Sequence, residues 1–398
     1  MPLEATEDIV ITGLGIASPI GTSEESVWES LITGRSGAGV VTGFDTTELP
    51  RRTACQVRDP VRVDTPVGRA SQLAIAAARQ AVASAALTAD ELGTGRCTVT
   101  VGTTMGETEF IEDRLAAPGD DWLSSEHAHL IARGKPGSIA GNVRADLKSA
   151  GPSMDIYGAC AAGNLALCKA RNDLLTGRCD VALVGGADGF SHLAFLGFMR
   201  LRIMSAGVCK PFDEQRDGLL VGEGSAMFVL ERESSARARG ARIRARIAGC
   251  AMTCEDYHPT RPEPNGDGLT RATIAALKDA DLSPGDIDYV CAHGTGTPHN
   301  DAIEVTVMSN CFPQGVAFSS IKALSGHTMG AAAALEAACC VLSLEHGTLI
   351  PTWHLAKVLK PCELDAIKDR PRPAKIRYAV NNSAGFGGYN SSVILAVA

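Results

Sequence analysis

The sequence has no excess of positive charge: 37 lysines and arginines stand against 45 acids, for a formal net charge of −8. Partners with dense negative charge, nucleic acid or an anionic membrane surface, are therefore not expected. A basic leader is lacking too, because MPLEATEDIVITG opens with acids, and no stretch approaches 18 uncharged apolar residues. Neither a signal peptide nor a membrane span is predicted, and a cytoplasmic location is expected. The 13 cysteines are scattered from Cys55 to Cys362 with no CxxC pair. Neither a disulfide framework nor a structural zinc site fits, and most of these thiols read as small buried hydrophobes. Cys250 and Cys254 share a segment and Cys339 adjoins Cys340, yet neither pair has histidines at ligand spacing, so no metal is expected. Low-complexity segments and short repeats are absent as well.

What is present is a 398-residue chain, 45% hydrophobic and 21% charged, with the composition of a globular protein large enough for a sizeable core. Short β-branched runs (Asp8 to Thr12, Cys97 to Gly102, Val181 to Gly185, Ile287 to Ala292, Val316 to Ser319) alternate with alanine-rich stretches of helical length. The helical stretches are Ser71 to Ala85, Ala161 to Leu175, Leu269 to Ala280 and Met329 to Leu344. This alternation predicts an α/β fold, and the scarcity of charge on the helices predicts burial between layers. The charged segment Glu231 to Arg246, ERESSARARGARIRAR, divides the chain into 1–242 and 243–398. On both sides a strand runs into a small-residue loop and then a helix, which suggests two similar halves.

Several segments carry candidate chemistry. Gly13-Leu14-Gly15 begins a dinucleotide fingerprint, but Ser18-Pro19 replaces its third glycine, so a tight turn leaving the first strand is the better reading. In Met154-Asp-Ile-Tyr-Gly-Ala-Cys160-Ala-Ala-Gly, a cysteine stands where a strand meets a helix through small residues. Such a cysteine is either an inert buried thiol or a nucleophile whose thiolate the helix N-terminus favours. His293 ends a strand and opens His-Gly-Thr-Gly-Thr-Pro, where α/β proteins place ligands, although a strand-end histidine can also be satisfied by backbone alone. Lys322 and His327 precede an alanine-rich helix whose lone acid is Glu336; burying lysine and glutamate there predicts that they pair. The stretch from Asn381 to Asn390 sets Phe386 among glycines and reads as an irregular loop between two strands, able to present N–H donors to an oxyanion or to act as a flap.

One cysteine, two histidines and a donor loop together fit nucleophilic acyl transfer through a thioester. Five motifs in order, GACAAG at Cys160, KPFDEQRDGLLVGEG from Lys210, AHGTGTPHND at His293, SIKALSGHTMGAA at Lys322 and His327, and NNSAGFGGYN at Phe386, closely resemble the β-ketoacyl-[acyl carrier protein] synthases. These are elongating members of the thiolase-like superfamily, and the resemblance spans nearly the whole chain. It implies two similar halves in a five-layered αβαβα core, a site between them, and a homodimer. It further implies that Cys160 accepts the acyl group while His293 and His327 bind the malonyl thioester and stabilise its enolate. By the same resemblance Lys322, paired with Glu336, supports the site, Asp301 and Glu304 order the histidine loop, and the N–H groups of Cys160 and Phe386 form the oxyanion hole, with Phe386 also gating the acyl pocket. Thr295 and Thr297 match contacts to a phosphopantetheine arm, which arrives on an acyl carrier protein; no resident cofactor or metal is implied.

Departures from the family pattern bear on specificity. Ala384 replaces a usual second phenylalanine, Tyr389 a usual threonine and Gly158 a common threonine, while Met105 falls where the acyl-pocket floor or a dimer wall is expected. His-Gly-Thr-Gly-Thr and the Asn300-Asp301 pair look more like type II polyketide ketosynthases than housekeeping fatty-acid enzymes. For carrier docking, Arg62, Arg69, Arg200 and Arg202 are the basic candidates, each equally readable as solvated surface. The stretch Ala116 to Glu126 is acidic in a region that is often basic. Two other readings stand beside extension: an enzyme that cyclises or transfers an acyl chain without malonyl, and a non-catalytic chain-length partner, against which Cys160, His293 and His327 argue. A degradative thiolase is disfavoured because no cysteine follows Cys362.

Overall fold

A computed structural model describes residues 7–116 and 132–398. In chain order its principal strands are β1 (Ile9–Ala17), β2 (Cys97–Thr103), β3 (Ser153–Tyr157), β4 (Val181–Asp188), β5 (Gly224–Arg232) and β6 (Ala245–Cys254). They continue with β7 (Tyr289–Cys291), β8 (Ala317–Ser319), β9 (Asp365–Ala366), β10 (Tyr378–Gly385) and β11 (Tyr389–Val397). Hydrogen bonds join them in the order β9-β8-β7-β10-β11-β6-β1-β5-β4-β2-β3.

Cut between β6 and β1, this order is one motif written twice. The first half reads β3-β2-β4-β5-β1 and the second β8-β7-β10-β11-β6, with β9 added at the outer edge. Directions repeat as well. In each half the first three strands of that order run parallel and the remaining pairings are antiparallel. The halves are not separate sheets: β1 and β6 pair at Val10 with Arg246 and Ile11 with Ala245, so the ladder runs through.

Helices α1 (Arg69–Ser84) and α2 (Ser138–Asp146) cover one outer face, and α5 (Asp267–Asp279) and α6 (Pro298–Cys311) the other. Between the half-sheets lie α3 (Ala162–Leu175) and α7 (Ala332–His346), each touching strands of both halves; α4 (His192–Arg200) stands beside the site. The result is the expected α/β architecture in five layers, α-β-α-β-α. Every residue of α7 from Ala332 to Leu344 is buried, as a helix apolar on all sides requires. Together with its leading turn, Met329–His346 is long and apolar enough to cross a membrane by composition, but 89% of it is buried within the protein core.

Two local expectations change. Strand β1 runs on through Gly13 and Gly15 rather than turning after Thr12, because a Cβ at either position would collide with α1, 2.1 Å from the Ala81 carbonyl oxygen and 2.0 Å from that of Ala77. These glycines serve strand-to-helix packing. The stretch Asn381 to Asn390 is the end of β10 and the start of β11, paired up to Gly385 with Tyr389, so the irregular loop shrinks to Phe386, Gly387 and Gly388. The acidic stretch Ala116 to Glu126 lies, beyond its first residue, outside the described residues. Ten of the thirteen cysteines are buried, and all are free.

Candidate active site

Both halves build the same device at the same place. After β3 the chain makes a short 3-10 turn, Ala159–Ala161, into α3; after β8 it makes an equivalent turn, Met329–Ala331, into α7. Each turn opens with a non-glycine residue in the left-handed region, Ala159 at φ +48° and Met329 at φ +57°. The next residue is thrust inward, and it is Cys160 in the first half but Gly330 in the second. A Cβ at Gly330 would lie 2.5 Å from Thr103 and Thr104 backbone atoms of the facing half, so only the first turn has room for a side chain.

Around Cys160 the second half supplies the partners. His327 Nε2 lies 3.0 Å from Cys160 Sγ. The His293 ring stands edge-on to that of His327, with centroids 5.3 Å apart. One nitrogen from each ring and the sulfur all fall within 4.8 Å of one another. Lys322 donates to the His293 carbonyl, faces His293 Nδ1 at 3.2 Å and forms an ion pair with Glu336. All of these groups are buried. The pairing expected from the cost of burying Lys322 and Glu336 is therefore present.

The polarity of Lys322 fixes a proton. An ammonium has donors and no acceptor, so His293 Nδ1 must accept, and the ring proton sits on Nε2. Burial, with Lys322 and His327 nearby, holds the His293 pKa well below its ordinary value. Burial and then Lys322 do the same to His327. Both rings are neutral at pH 7, able to donate or accept a single proton.

The thiol departs from expectation. Cys160 does sit at a helix start, and Lys322 and the Phe386 backbone N–H both favour its thiolate. Burial outweighs them and pushes the pKa up to about 12. A helix dipole acts through roughly half a charge, whereas taking the thiolate out of water costs the full solvation of an ion. The resting group is a thiol, and His327 Nε2 is the atom placed to take its proton.

The loop after β7 is pinned by the expected acids. Glu304 accepts from the N–H groups of His293, at 2.5 Å, and of Gly294, at 2.7 Å. Asp301 accepts from Phe212, at 2.7 Å, and Gly296, at 3.2 Å. Burial raises both carboxyls, Glu304 to about 8. The same burial lifts Glu336 to about 7 against the pull of Lys322.

A cavity of about 460 Å³ reaches Cys160, His293 and His327 and is lined further by Thr295, Thr297, Ala384, Phe386 and Phe198. Thr295 and Thr297 hydroxyls lie 2.9 Å apart. Phe386, at the hairpin tip, packs on Phe198 with ring centroids 5.8 Å apart. Met105 does not line this cavity; it packs into the apolar cluster behind Phe198 and Phe386. Of the basic candidates, Arg69 is an internal brace, paired with Glu223 at 3.0 Å. Arg62, Arg200 and Arg202 are exposed, and Arg202 stands on the cavity wall.

Two residues of the site were not foreseen. Ser383 donates to the Cys160 carbonyl at 3.0 Å and lies 3.3 Å from His293 Nδ1, tying the Cys160 backbone to His293. The polar run Asn-Asn-Ser masks the strand alternation that places it inward. Asp188, at the end of β4, gathers the Thr103 hydroxyl and the N–H groups of Thr104, Met105 and Gly330. It holds the second-half turn just beyond His327, and burial raises its carboxyl to about 6.

Family models for the β-ketoacyl synthase N-terminal domain and C-terminal domain match residues 6–236 and 244–356. The chain belongs to the β-ketoacyl synthase family. Among relatives of this condensing-enzyme family, 3-oxoacyl-[acyl-carrier-protein] synthase 2 of Staphylococcus aureus strain COL is 34% identical over 405 residues, covering 97% of each chain. The synthase of the same name from Synechocystis sp. is 33% identical over 403 residues, 96% of each. Among solved structures, the ishigamide ketosynthase/chain length factor superposes with a TM-score of 0.94 at 38% identity, over 99% of this chain and 100% of that one. A type II polyketide ketosynthase bound to a hexaketide, in complex with its acyl-carrier protein, gives 0.91 at 26% identity over 99% and 100%. As a β-ketoacyl synthase the chain is an acyltransferase-type condensing enzyme with a thiolase-like fold.

Proposed function

We propose that the enzyme carries out a decarboxylative Claisen condensation by a ping-pong route. The supporting observation is the convergence of Cys160, His293 and His327 at the end of one cavity. In the first half-reaction the Cys160 sulfur attacks an acyl thioester as His327 takes the thiol proton. The carbon–sulfur bond to the carrier breaks, and the released phosphopantetheine sulfur recovers that proton. In the second, a malonyl thioester loses carbon dioxide, and the electron pair of the broken carbon–carbon bond becomes an enolate held by the Nε2–H of His293 and by His327 in the tautomer that carries its single ring proton on Nε2. The enolate carbon attacks the acyl thioester carbonyl, the carbon–sulfur bond to Cys160 breaks, the departing thiolate takes one proton from solvent to restore the thiol, and a 3-oxoacyl thioester two carbons longer departs. Donors that meet charge only after decarboxylation stabilise the transition state rather than the bound substrate.

In this reading the N–H groups of Cys160 and Phe386 hold the oxyanion, Phe386 and Ala384 border the acyl chain, and Thr295 and Thr297 meet the phosphopantetheine arm. Lys322, Glu336, Asp301 and Glu304 are positioning residues. No resident metal or redox cofactor enters the scheme, since each electron pair has a carrier in the protein or the substrates and the one proton consumed per cycle comes from solvent. Residues 1–242 carry the nucleophile and 243–398 the histidines and the hairpin, a division supported by the repeated strand order. The acyl carrier protein is the partner, with Arg200 and Arg202 beside the cavity. A homodimer is supported by edge strand β3, which leaves Met154 and Tyr157 48% and 45% exposed. A polyketide or other secondary-metabolite setting is supported by the 38% identity to the ishigamide enzyme against 34% to the Staphylococcus synthase.

The test is to load the purified protein from a series of acyl carrier proteins, locate the added mass by peptide spectrometry, then add malonyl carrier protein. Acylation of Cys160, release of carbon dioxide and a chain two carbons longer are expected. Acylation without consumption of malonyl would replace this reading by acyl transfer or cyclisation, and failure of every donor would favour a chain-length partner.

A further inference from the structure

The buried Cys160, His293 and His327 form a constellation that zinc proteins use as a ligand set: one sulfur and two imidazole nitrogens within 4.8 Å, open on one side to a cavity. A thiophilic divalent cation takes that donor set with water as a fourth ligand. The surroundings are those of a site built to refuse it. A histidine that binds a metal almost always gives its other ring N–H to a carboxylate, a carbonyl or water. His293 has the reverse: its Nδ1 faces the Lys322 ammonium at 3.2 Å, a group that can only donate. Nδ1 must then keep its lone pair for Lys322, and Nε2, the nitrogen on the cavity side, keeps its proton and has no lone pair to offer. Ser383 Oγ, 3.3 Å from the same Nδ1, could accept a proton from it, but not while Lys322 donates there.

Charge works in the same direction. A divalent ion bound to one thiolate and two neutral imidazoles retains one positive charge, next to the positive charge of Lys322 in a buried site. Glu336 is already paired with Lys322, and the further acids that bear on these groups, Asp188 and Glu304, are engaged by backbone N–H donors.

We propose that Cys160, His293 and His327 are a latent binding site for a thiophilic divalent cation such as Zn²⁺, and that Lys322 keeps it closed by holding His293 in its Nε2–H tautomer. Replacing Lys322 by a residue that accepts a hydrogen bond or is apolar lets the proton move to Nδ1, where Ser383 can receive it. Nε2 then turns its lone pair to the cavity. Coordination releases the Cys160 thiol proton to solvent and forms one metal–sulfur and two metal–nitrogen bonds, with no change of oxidation state. The inference concerns the resting protein and stands whichever acyl reaction the site performs.

Cobalt(II) is the probe, because a cobalt–thiolate bond adds a charge-transfer absorption that no other group of the apoprotein supplies, and competition with zinc then gives relative affinities. The variants are Lys322→Gln with Glu336→Gln, which removes the lysine without stranding a buried acid, and Lys322→Met with Glu336→Gln in case the first does not fold; circular dichroism and a thermal melt check folding. Wild type and Glu336→Gln alone are expected to show no band at metal concentrations that load the double variants one to one. A gain of about 10–100-fold in affinity is expected, the range that the outer partner of a ligating histidine commands. Adding Cys160→Ser to the double variant should remove the band. Equal binding by wild type and a folded double variant, or no binding by either folded double variant, overturns the proposal.

Discussion

The sulfur of Cys160 lies 3.0 Å from Nε2 of His327, although 167 residues separate them in the chain. Each sits at the same kind of place in its own half, at or just before a 3-10 turn that leads into a central helix. The contact is made across the packing of α3 against α7. Thiol and imidazole are thus positioned by the two helices packed between the half-sheets rather than by surface loops, and the predictions below draw on that rigidity.

Cys160→Ala removes the acyl acceptor. Condensation should fall by on the order of 10³-fold or more, with no acyl adduct in the mass spectrum. Decarboxylation of malonyl thioester, measured as released carbon dioxide, should persist, since it needs only the histidines. Full loss of decarboxylation in a folded variant would contradict the division of labour proposed here.

His293→Ala and His327→Ala should separate the half-reactions. The first is expected to leave acylation of Cys160 within a few-fold, roughly the cost of a lost neighbour, while abolishing decarboxylation. The second should slow both, because His327 Nε2 is the side-chain atom at hydrogen-bond distance from the sulfur. Single-turnover acylation and carbon dioxide release, measured on the same preparations, check the pattern.

The protonation states give a pH signature. With the thiol raised to about 12, the thiolate fraction rises tenfold per pH unit throughout the range in which the protein can be handled. Alkylation of Cys160 by iodoacetamide should climb without a plateau from pH 6 to about pH 10, and a plateau below pH 8 would show an activated thiolate instead. Both histidines are held well below their ordinary value, so their own protonation costs activity only below it; Glu304 and Glu336, raised to about 8 and about 7, protonate first, and condensation should begin to fall as pH drops through that range, which a pH profile of steady-state condensation checks.

Glu336→Ala leaves the Lys322 ammonium buried without its counter-ion. A destabilisation of about 3–5 kcal/mol is expected, the range for breaking a buried pair from one side. Urea unfolding measures it, and a change below about 1 kcal/mol, the size of a surface pair, would mean that Lys322 finds another partner.

Gly330→Ala introduces a Cβ 2.5 Å from the backbone at Thr103 and Thr104. Either the turn or β2 must shift, at about 1–3 kcal/mol for overpacking. Since Gly330 N–H is held by Asp188 and the turn adjoins His327, the same variant should lower kcat more than it raises KM. Steady-state kinetics beside chemical unfolding reads both effects.

Much of this was legible before any coordinates. The strand-turn-helix around Cys160 follows from its small residues, and the Lys322–Glu336 pair follows from the cost of placing two lone charges on an apolar helix. The pinning of the His293 loop by Asp301 and Glu304 came with the family resemblance. What stayed hidden has physical causes. The hairpin from Asn381 to Asn390 looks like loop because its inward residues are polar, and only the opposing half makes them interior. The protonation of Cys160 depends on how completely water is excluded, which no local pattern reports. Ser383 and Asp188 act by meeting the Cys160 carbonyl and the Gly330 N–H, 223 and 142 residues away in the opposite half, and such meetings arise only once the halves close.

The paired turns at Ala159 and Met329 also limit how the protein could be elaborated. One of two copies of a thiol-bearing bend has been filled with the smallest residue, and its space is taken by the backbone of the opposite half. In the proposed reaction, occupancy at such a bend is therefore capped at one acyl chain per polypeptide, and a second such position cannot be gained by point substitution. Only a rebuilding of β2 would make room for it.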